Sequence, residues 1–275
     1  MENEGTLRVG LVQMESAPCR ADENRAAAER LIRLAAARGA KLIQLPETWN
    51  LGFFPKEGLL ELAEPEDGES RALLSRLARE LGVVIAGGSL VTRRGGGVCN
   101  TFVCYAPDGS LLAEYDKLHG FTPSGERAYF RAGEKLCRYA APGVEAGALL
   151  CYDLRFCELS RMLALSGARL LTVCAQWPES RIEDWRLLAR ARAVENQVFV
   201  TAVNGCGSFG GVQSGGRSIA VAPDGEILAE AGAEEGVTIA VLPLGRADEC
   251  RRVLDVLADR RPELYAPLCA VPPDV

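Results

Sequence analysis

Histidine and lysine are scarce in this chain, and their scarcity argues against several kinds of site. The 275 residues include one histidine, His119, and four lysines, Lys41, Lys56, Lys117 and Lys135. A single histidine argues against a zinc site built from several histidines. It also leaves His119 as the only candidate base for a Ser–His or Cys–His pair.

Close cysteine pairs and long hydrophobic runs are also missing from the sequence. The ten cysteines form no C-x-x-C pair, and the first four residues, MENE, are polar and acidic. We therefore expect a cytoplasmic protein with neither a signal peptide nor a disulfide framework. No apolar run reaches about 18 residues, the length that a membrane-crossing helix needs. The expected partners accordingly include no membrane.

The charge balance is mildly acidic, with a formal net charge of -6 and a pI near 5.2. Nucleic acids and anionic membranes favour a basic protein face, so this balance argues against both as partners. Hydrophobic residues make up 48% of the chain, which allows a sizeable core. We expect one domain over residues 1–275, with a core at about 7–242 and a C-terminal helix and tail at 246–275.

In the first third of the chain, apolar runs alternate with amphipathic segments whose hydrophobic residues recur at helical spacing. Strands are predicted for the apolar runs at 7–14, 40–45 and 83–86. Helices are predicted for the amphipathic segments at 22–38 and 68–81. The order strand–helix–strand–helix–strand predicts a parallel core.

The second half of the chain shows a similar alternation. Helices are predicted at 155–166 and 182–196, and each is followed by a predicted strand, at 168–174 and 198–203. A last helix is predicted near 248–257 and precedes a Pro-rich tail. The whole pattern is typical of the α/β class.

One short motif occurs twice, as APDGSLLAE at 106–114 and as APDGEILAE at 222–230. The Pro-Asp-Gly step is typical of a hairpin turn, and strands at 100–106 and 111–115 are predicted to flank its first copy. The repeat is either a common turn used twice or the sign of two similar sheets packed face to face, with helices outside. Because no linker separates the halves, we predict one domain of four layers, helix–sheet–sheet–helix.

Residues 205–216 form a glycine-rich segment, with six glycines in twelve positions. The segment lacks the Gly-Lys-Ser/Thr ending of a phosphate-binding loop and does not open a convincing helix. We expect a mobile or tightly turning loop here rather than a nucleotide site.

Three reactive residues each follow a strand-like run. Glu47 follows KLIQLP, Lys117 follows LLAEYD, and Cys151 follows GALL. The crevice beyond the carboxyl ends of strands is the usual ligand site in α/β sheets, so the three side chains can meet in one pocket. A carboxylate can take the proton of a thiol that attacks an amide carbon. An ammonium and the backbone N–H after the cysteine can stabilise the resulting oxyanion.

Three segments of the sequence resemble the signature segments of the nitrilase superfamily of carbon–nitrogen hydrolases. They are LPETWN at 45–50, YDKLHGF at 115–121 and CYDLRFCELSR at 151–161. A fourth stretch, QWPESRIEDW…ARARAVENQVFV at 176–200, is similar to the ω-amidase-like branch of that family. The likeness runs from residue 7 to about 241, with the segments in the family's order.

The resemblance implies an αββα sandwich and a homodimer whose sheets stack as αββααββα. It also implies a Glu–Lys–Cys triad of Glu47, Lys117 and Cys151, with no metal and no organic cofactor. A second active-site glutamate is implied after the lysine segment, and Glu126 is the best match. Its expected role is to hold the lysine and to orient the substrate. His119 stands at a position that is commonly His in the family, where it is expected to be structural.

The candidate substrate-binding residues are Tyr152, Arg155 and Trp177. Asp153 and Arg155 flank the nucleophile, which Tyr152 follows directly, and Trp177 follows a predicted strand end. Arg155 can bind a substrate carboxylate in a bidentate manner, or it can brace the turn by pairing with Asp153 or another acid, which we favour. Two features depart from the family's pattern, namely Gly120 and the Gly-Cys-Gly segment at 205–207.

The sequence therefore predicts an enzyme, an amidase that hydrolyses a small linear amide through a cysteine thioester and releases ammonia. Within that class we favour ω-amidase-like action on monoamides of dicarboxylic acids. N-carbamoyl amines or amino acids are the alternative substrates. Transfer of the acyl group to an amine would use the same thioester. A non-catalytic binding protein on this fold is a further alternative, against which the intact triad argues.

Overall fold

The computed structural model describes residues 5–53 and 56–265 and shows two six-stranded sheets. In chain order, the elements up to the end of the fifth strand are β1 (Thr6–Gln13), α1 (Ala21–Ala37), β2 (Leu42–Gln44), α2 (Leu59–Leu62), α3 (Glu69–Leu81), β3 (Val84–Arg94), β4 (Gly97–Tyr105) and β5 (Leu111–Asp116). The remaining elements are β6 (Cys137–Ala141), β7 (Val144–Leu150), α4 (Cys157–Leu165), β8 (Leu170–Ala175), α5 (Ile182–Asn196), β9 (Phe199–Asn204), β10 (Ser208–Phe209), β11 (Val212–Gln213), β12 (Ile219–Val221), β13 (Ile227–Glu230), β14 (Gly236–Pro243), α6 (Arg246–Val253) and α7 (Pro262–Tyr265).

The two sheets have the same internal plan. The first sheet has the order β14-β1-β2-β3-β4-β5, and the second has the order β13-β12-β9-β8-β7-β6. The strands β1, β2 and β3 run parallel to one another, as do β7, β8 and β9. In each sheet the third parallel strand is followed by an antiparallel hairpin, β4–β5 in the first and β12–β13 in the second.

The repeated APDG motif forms the turn of both hairpins. In the first turn Gly109 N–H donates to Ala106 O at 2.8 Å, and in the second Gly225 N–H donates to Ala222 O at 2.9 Å. The two turns therefore occupy equivalent places in the two sheets. The structure supports the interpretation of the repeat as part of a pseudo-two-fold arrangement.

Helices cover the outer face of each sheet, and the sheets pack against each other through a shared apolar core. Side chains such as Phe102, Leu150 and Phe199 fill the space between the sheets. The helices α1 and α3 pack on the first sheet, and α4 and α5 pack on the second. These four layers confirm the predicted αββα sandwich. In the described ranges, no helix is long and apolar enough to cross a membrane.

Two predicted elements differ from the observed ones. The predicted strand at 83–86 is the first part of a longer strand, β3, which forms a hairpin with β4. Gly95 and Gly96 connect the two strands with φ angles of 55° and 76°, which only glycine adopts readily. The helix predicted at 155–166 begins later, at Cys157, because Cys151–Arg155 form a separate 3-10 turn.

The C-terminal part of the chain was predicted as a helix near 248–257 followed by a tail. The observed helix α6 spans Arg246–Val253, and the short helix α7 follows it. Residues 266–275 of the predicted tail lie outside the described residues.

Candidate active site

The candidate site lies between the two sheets, at the carboxyl ends of strands from both. Glu47 follows β2, and Lys117 follows directly after β5 in the same sheet. Cys151 follows directly after β7 in the second sheet. The backbone N–H of Glu47 donates to Ala175 O, at the end of β8, at 3.5 Å. The second sheet therefore helps to hold the loop that carries Glu47.

Lys117 lies between two carboxylates. Its Nζ is 2.8 Å from Glu47 Oε1 and 2.9 Å from Glu126 Oε2, and it also donates to Glu126 Oε1 at 3.0 Å. Glu47, Lys117 and Glu126 are only 3%, 5% and 3% exposed. Burial opposes the charge of the ammonium, but the negative charges of the Glu47 and Glu126 carboxylates outweigh it and raise the pKa of Lys117. Lys117 is therefore a fixed cation at neutral pH.

Cys151 occupies a strained turn beside this ion-paired group. Its φ angle of 47° lies in the left-handed region, which non-glycine residues rarely adopt. Its side chain is half-buried, so part of it faces solvent. Burial raises the pKa of the thiol well above its ordinary value, and the adjacent Glu47 carboxylate raises it further, against the opposing effect of Lys117. The thiol therefore carries its proton in the resting protein.

Asp153 joins the lysine segment to the turn that carries Cys151. Its carboxylate accepts hydrogen bonds from Tyr115 Oη at 2.6 Å, from the backbone N–H of His119 at 3.1 Å and from that of Leu150 at 3.2 Å. His119 Nδ1 is also 2.8 Å from Asp153 Oδ1, and the imidazole stacks on Phe156 at 3.7 Å between ring centroids. This arrangement agrees with the predicted structural role of His119.

Arg155 pairs with an acid, but the acid is not Asp153. Its Nη2 is 2.8 Å from Asp184 Oδ2, on the first turn of α5. Its guanidinium also lies over the ring of Trp177, 4.7 Å from the centroid. Asp153 is fully buried, and its carboxylate oxygens are already used by Tyr115, Leu150 and His119. Arg155 therefore braces α5 against the strand end that carries Trp177.

The other two predicted substrate-binding residues have aromatic neighbours. The Tyr152 ring makes edge contacts with Phe121 and with Phe156, both at 5.2 Å between centroids. Trp177 is buried, and its backbone N–H donates to Asn204 Oδ1 at 2.6 Å. The structure thus places Tyr152 beside the nucleophile and Trp177 at the end of β8.

Two residues that the sequence reasoning did not name take part in the cluster. Asn100, on β4, donates from Nδ2 to Glu47 Oε1 at 2.8 Å and to Glu126 Oε1 at 3.3 Å. Gln176 donates from Nε2 to the backbone carbonyl of Glu47 at 3.1 Å. Asparagine is depleted in strands, so an asparagine within the apolar run VCNTFVCY was the available signal for the first of them.

Gly120 and Gly205, which depart from the family's pattern, both lie near the site. A Cβ at position 205 would lie 2.0 Å from Gln176 Oε1, so Gly205 leaves the room that the Gln176 side chain needs. Gly120 and Arg127 help to line a cavity of about 180 Å³ beside Lys117 and Glu126.

The glycine-rich segment forms a small hairpin close to the same end of the sheets. Its strands β10 and β11 pair through Ser208–Gln213 and Phe209–Val212. The Phe209 ring lies 5.8 Å from the ring of Phe53, which belongs to the segment after Glu47. Of the two predicted alternatives, a mobile or a tightly turning loop, the structure shows tight turning. In the part of the chain that the structure covers, no group of three or more His, Cys, Asp or Glu side chains is placed to hold a metal ion.

Comparison with known proteins identifies the family. The carbon-nitrogen hydrolase family model matches residues 8–252. The chain is 36% identical to the 2-oxoglutaramate amidase of Bacillus subtilis (strain 168) over 83% of this chain and 88% of that protein. It is 34% identical to omega-amidase NIT2 of Homo sapiens, over 95% and 97% of the two chains. The crystal structure of Nit3 of Saccharomyces cerevisiae, a member of branch 10 of the nitrilase superfamily, superimposes with a TM-score of 0.84 at 28% identity, over 91% of this chain and 94% of Nit3. These matches and the shared sandwich fold show that the chain belongs to the carbon–nitrogen hydrolase family of the nitrilase superfamily.

Proposed function

We propose that this protein is an amidase that hydrolyses small linear amides through a thioester on Cys151. The observation that carries the proposal is the arrangement of the cluster. The thiol of Cys151, a partly buried residue, interacts with a buried carboxylate, Glu47, which is paired with a buried ammonium, Lys117. A nucleophile, a base and an oxyanion stabiliser are the three functions that acyl transfer from an amide needs.

The first half of the reaction forms the thioester. Glu47 takes the thiol proton as Cys151 Sγ attacks the amide carbon, because the raised pKa of the thiol leaves little thiolate at neutral pH. Lys117 Nζ and the backbone N–H of Tyr152 stabilise the oxygen of the tetrahedral intermediate. Glu47 then gives its proton to the amide nitrogen, the C–N bond breaks, and ammonia leaves.

The second half restores the enzyme. Glu47 takes a proton from a water molecule, whose oxygen attacks the thioester carbon. The C–S bond breaks, the carboxylic acid product leaves, and the proton returns from Glu47 to the sulfur. In this scheme Glu126 keeps Lys117 in place through both of its carboxylate oxygens and orients the substrate.

We propose monoamides of dicarboxylic acids as the substrates, in the manner of an ω-amidase. The names of the relatives, 2-oxoglutaramate amidase and omega-amidase, support this choice. Tyr152 and Trp177 are the proposed walls of the pocket, and Arg155 is the proposed partner of the distal carboxylate. Its side chain is 34% exposed, so a carboxylate can reach it beside or in place of Asp184.

We further propose a single hydrolase domain over residues 1–275 that works in the cytoplasm as a homodimer with stacked sheets, αββααββα. Apolar side chains that are exposed on α4 and α5 support the dimer: Met162, Leu165, Leu187 and Val194. Covering them would remove apolar surface from water. Light scattering that gave the mass of one chain would contradict the dimer.

The experiment that tests the proposed function is ammonia release from a panel of amides. The panel contains dicarboxylate monoamides, neutral linear amides and N-carbamoyl compounds. We expect turnover of at least one carboxylate-bearing amide by the wild type, and a loss of about a thousandfold or more in Cys151→Ala. Cys157→Ala is the matched control, since Cys157 is an exposed thiol six positions along the chain, and it should keep full activity.

Two outcomes would contradict the proposal. Activity that survives in Cys151→Ala would remove the thioester mechanism. A folded wild type that releases no ammonia from any amide in the panel would contradict the proposed amidase activity itself. Turnover confined to N-carbamoyl compounds would keep the mechanism and replace the proposed substrate.

A further inference from the structure

Asn100 contacts both carboxylates of the cluster and the backbone of Lys117. It lies on β4, is 2% exposed, and donates from Nδ2 to Glu47 Oε1 and to Glu126 Oε1. Its backbone carbonyl accepts the N–H of Lys117 at 2.9 Å. Both acceptors of Nδ2 are carboxylate oxygens, so the amide has its nitrogen toward the acids. Asn100 Oδ1 is buried and accepts no hydrogen bond from any residue that the structure describes.

The contacts of Asn100 make the two oxygens of Glu47 unequal. Oε1 accepts from Lys117 Nζ and from Asn100 Nδ2, both at 2.8 Å. Oε2 is buried and has no hydrogen-bond partner within residues 5–53 and 56–265. A buried oxygen without a donor is the stronger proton acceptor of the two, because no hydrogen bond stabilises its charge. The charge of this carboxylate raises the pKa of the Cys151 thiol, so the two groups interact.

A neutral side chain suits this place for an electrostatic reason. The buried group already holds two carboxylates and one ammonium, in addition to the thiol. A second cation would compete with Lys117 for Glu47, and a third carboxylate would repel both acids. An amide donates a hydrogen bond to each acid without changing the net charge, and Asn100 lies on β4, which is paired on both sides, with β3 and with β5.

We propose that Asn100 is a positioning residue that occupies Oε1 of Glu47 and thereby directs the free oxygen, Oε2, to the proton of Cys151. The inference rests on the proposed function, because it assigns Glu47 as the base. Asn100 acts through Glu47 and does not contact the reacting atoms.

The test is the pH dependence of kcat/KM for Asn100→Ala, measured with the best amide of the panel. Loss of a donor disfavours the ionised carboxylate, so the acidic limb should move to higher pH, by about one unit. A misdirected base should also lower kcat at the optimum by about 10- to 100-fold, since a displacement of about 1 Å can have that effect. KM should change little.

Thr101→Val is the matched control for a purely structural effect. Thr101 is the next residue on β4, is fully buried, and donates to Asp116 Oδ1 at 2.6 Å. Thr101→Val removes a buried hydrogen bond from the same strand and leaves the contacts of Glu47 in place. We expect lower stability and an unchanged acidic limb. Asn100→Asp keeps the side-chain volume and provides a second variant if Asn100→Ala does not fold, and its acidic limb should move further upward.

A second readout does not need turnover. The rate at which iodoacetamide alkylates Cys151 reports on removal of the thiol proton, so its pH profile should move with the acidic limb in the Asn100 variants only. Unchanged profiles in Asn100→Ala and Asn100→Asp, or an equal shift in Thr101→Val, would overturn the inference. Those results would leave the proposed function intact, provided that Cys151→Ala is inactive. Activity in Cys151→Ala would instead remove the proposed function.

Discussion

At the scale of residues, buried carboxylates hold the other groups of the site in place. Glu47 and Glu126 enclose Lys117, and Asp153 gathers donors from Tyr115 and from two backbone N–H groups. Burial raises the pKa of the Tyr115 phenol, and the negative charge of Asp153 raises it further. Tyr115 is therefore a neutral donor to a buried anion, which is the stronger kind of hydrogen bond.

The variant Tyr115→Phe should lower the free energy of unfolding by about 1.5–3 kcal/mol, the usual contribution of a hydrogen bond to a charged group. Tyr139→Phe is the matched control, because Tyr139 is equally buried but bonds to a neutral partner, Thr172 Oγ1, at 2.9 Å. Tyr139→Phe should lower the free energy of unfolding by only about 1 kcal/mol. Urea unfolding followed by circular dichroism measures both, and equal losses would show that the charge of Asp153 contributes nothing.

The sequence predicted which residues gather but not how they are held. Glu47, Lys117 and Cys151 each follow a strand, and the structure brings them together with Glu126, while their catalytic roles stay predictions. Asn100 was not predicted, because a hydrogen bond between residues 53 positions apart leaves no periodic signal in a single sequence. The partner of Arg155 was open for the same reason.

At the scale of elements, the loop that carries Glu47 crosses a bulge in β3. The pairing of β3 with β4 shifts register between Ala86 and Ser89. Gly88, within the bulge, has a φ of 66°, and a Cβ there would lie 1.9 Å from the carbonyl oxygen of Pro46. Ser89 N–H donates to that same oxygen at 3.1 Å. The bulge thus fixes the backbone immediately before Glu47.

The variant Gly88→Ala should therefore be inactive or unfolded, because the new methyl group must displace Pro46 and the neighbouring Glu47. Gly96→Ala separates this clash from backbone strain. Gly96 has a similar φ of 76°, but a Cβ there would meet no atom within 4 Å. Gly96→Ala should lower the free energy of unfolding by about 1–2 kcal/mol and leave kcat unchanged. Thermal unfolding and ammonia release measure the two effects, and full activity in Gly88→Ala would show that the loop adapts.

Element boundaries were predictable where the pattern was long and regular. The predicted helix at 182–196 agrees with α5, whereas the helix predicted from 155 starts two residues later. Helical spacing does not distinguish a 3-10 turn from the first turn of an α-helix. The hairpin between β3 and β4 was missed, because its Gly-Gly turn lies within a run of arginine and glycine that shows no alternation.

At the scale of the whole molecule, the fold buries many thiols. Burial raises the pKa of Cys99 to about 11 and those of Cys137, Cys174 and Cys206 to about 12. Cys104 is fully buried, and its pKa is raised well above the ordinary value. The folded protein therefore keeps protons on these thiols at pH values where the unfolded chain releases them.

Stability should consequently fall as the pH rises above about 8.5, the pKa of a free thiol, and continue to fall up to about 12, the raised pKa of Cys137, Cys174 and Cys206. Each such thiol contributes about 1.4 kcal/mol per pH unit to this slope. Urea unfolding at several pH values measures it. Cys174→Ala should flatten the slope by that amount, while Cys19→Ala, which removes an exposed cysteine, should not. A slope unaffected by Cys174→Ala would show that this thiol does not contribute.

The overall architecture was predictable because its signals are repeated along the chain. Alternating strands and helices indicated parallel sheets, and the two APDG motifs indicated two similar halves. The strand pairing that completes the first sheet had no such signal. The first sheet is completed by β14, which pairs antiparallel with β1, more than 220 residues earlier in the sequence.

This closure has a consequence that we expect to show during synthesis on the ribosome. Glu47 and Lys117 belong to a sheet whose last strand ends at Pro243, and Cys151 belongs to the other sheet. A nascent chain that lacks β14 has all three reactive side chains but an incomplete frame to hold them together. We therefore expect the proposed site to be complete only after β1 and β14, the first and last strands of the first sheet in chain order, have paired.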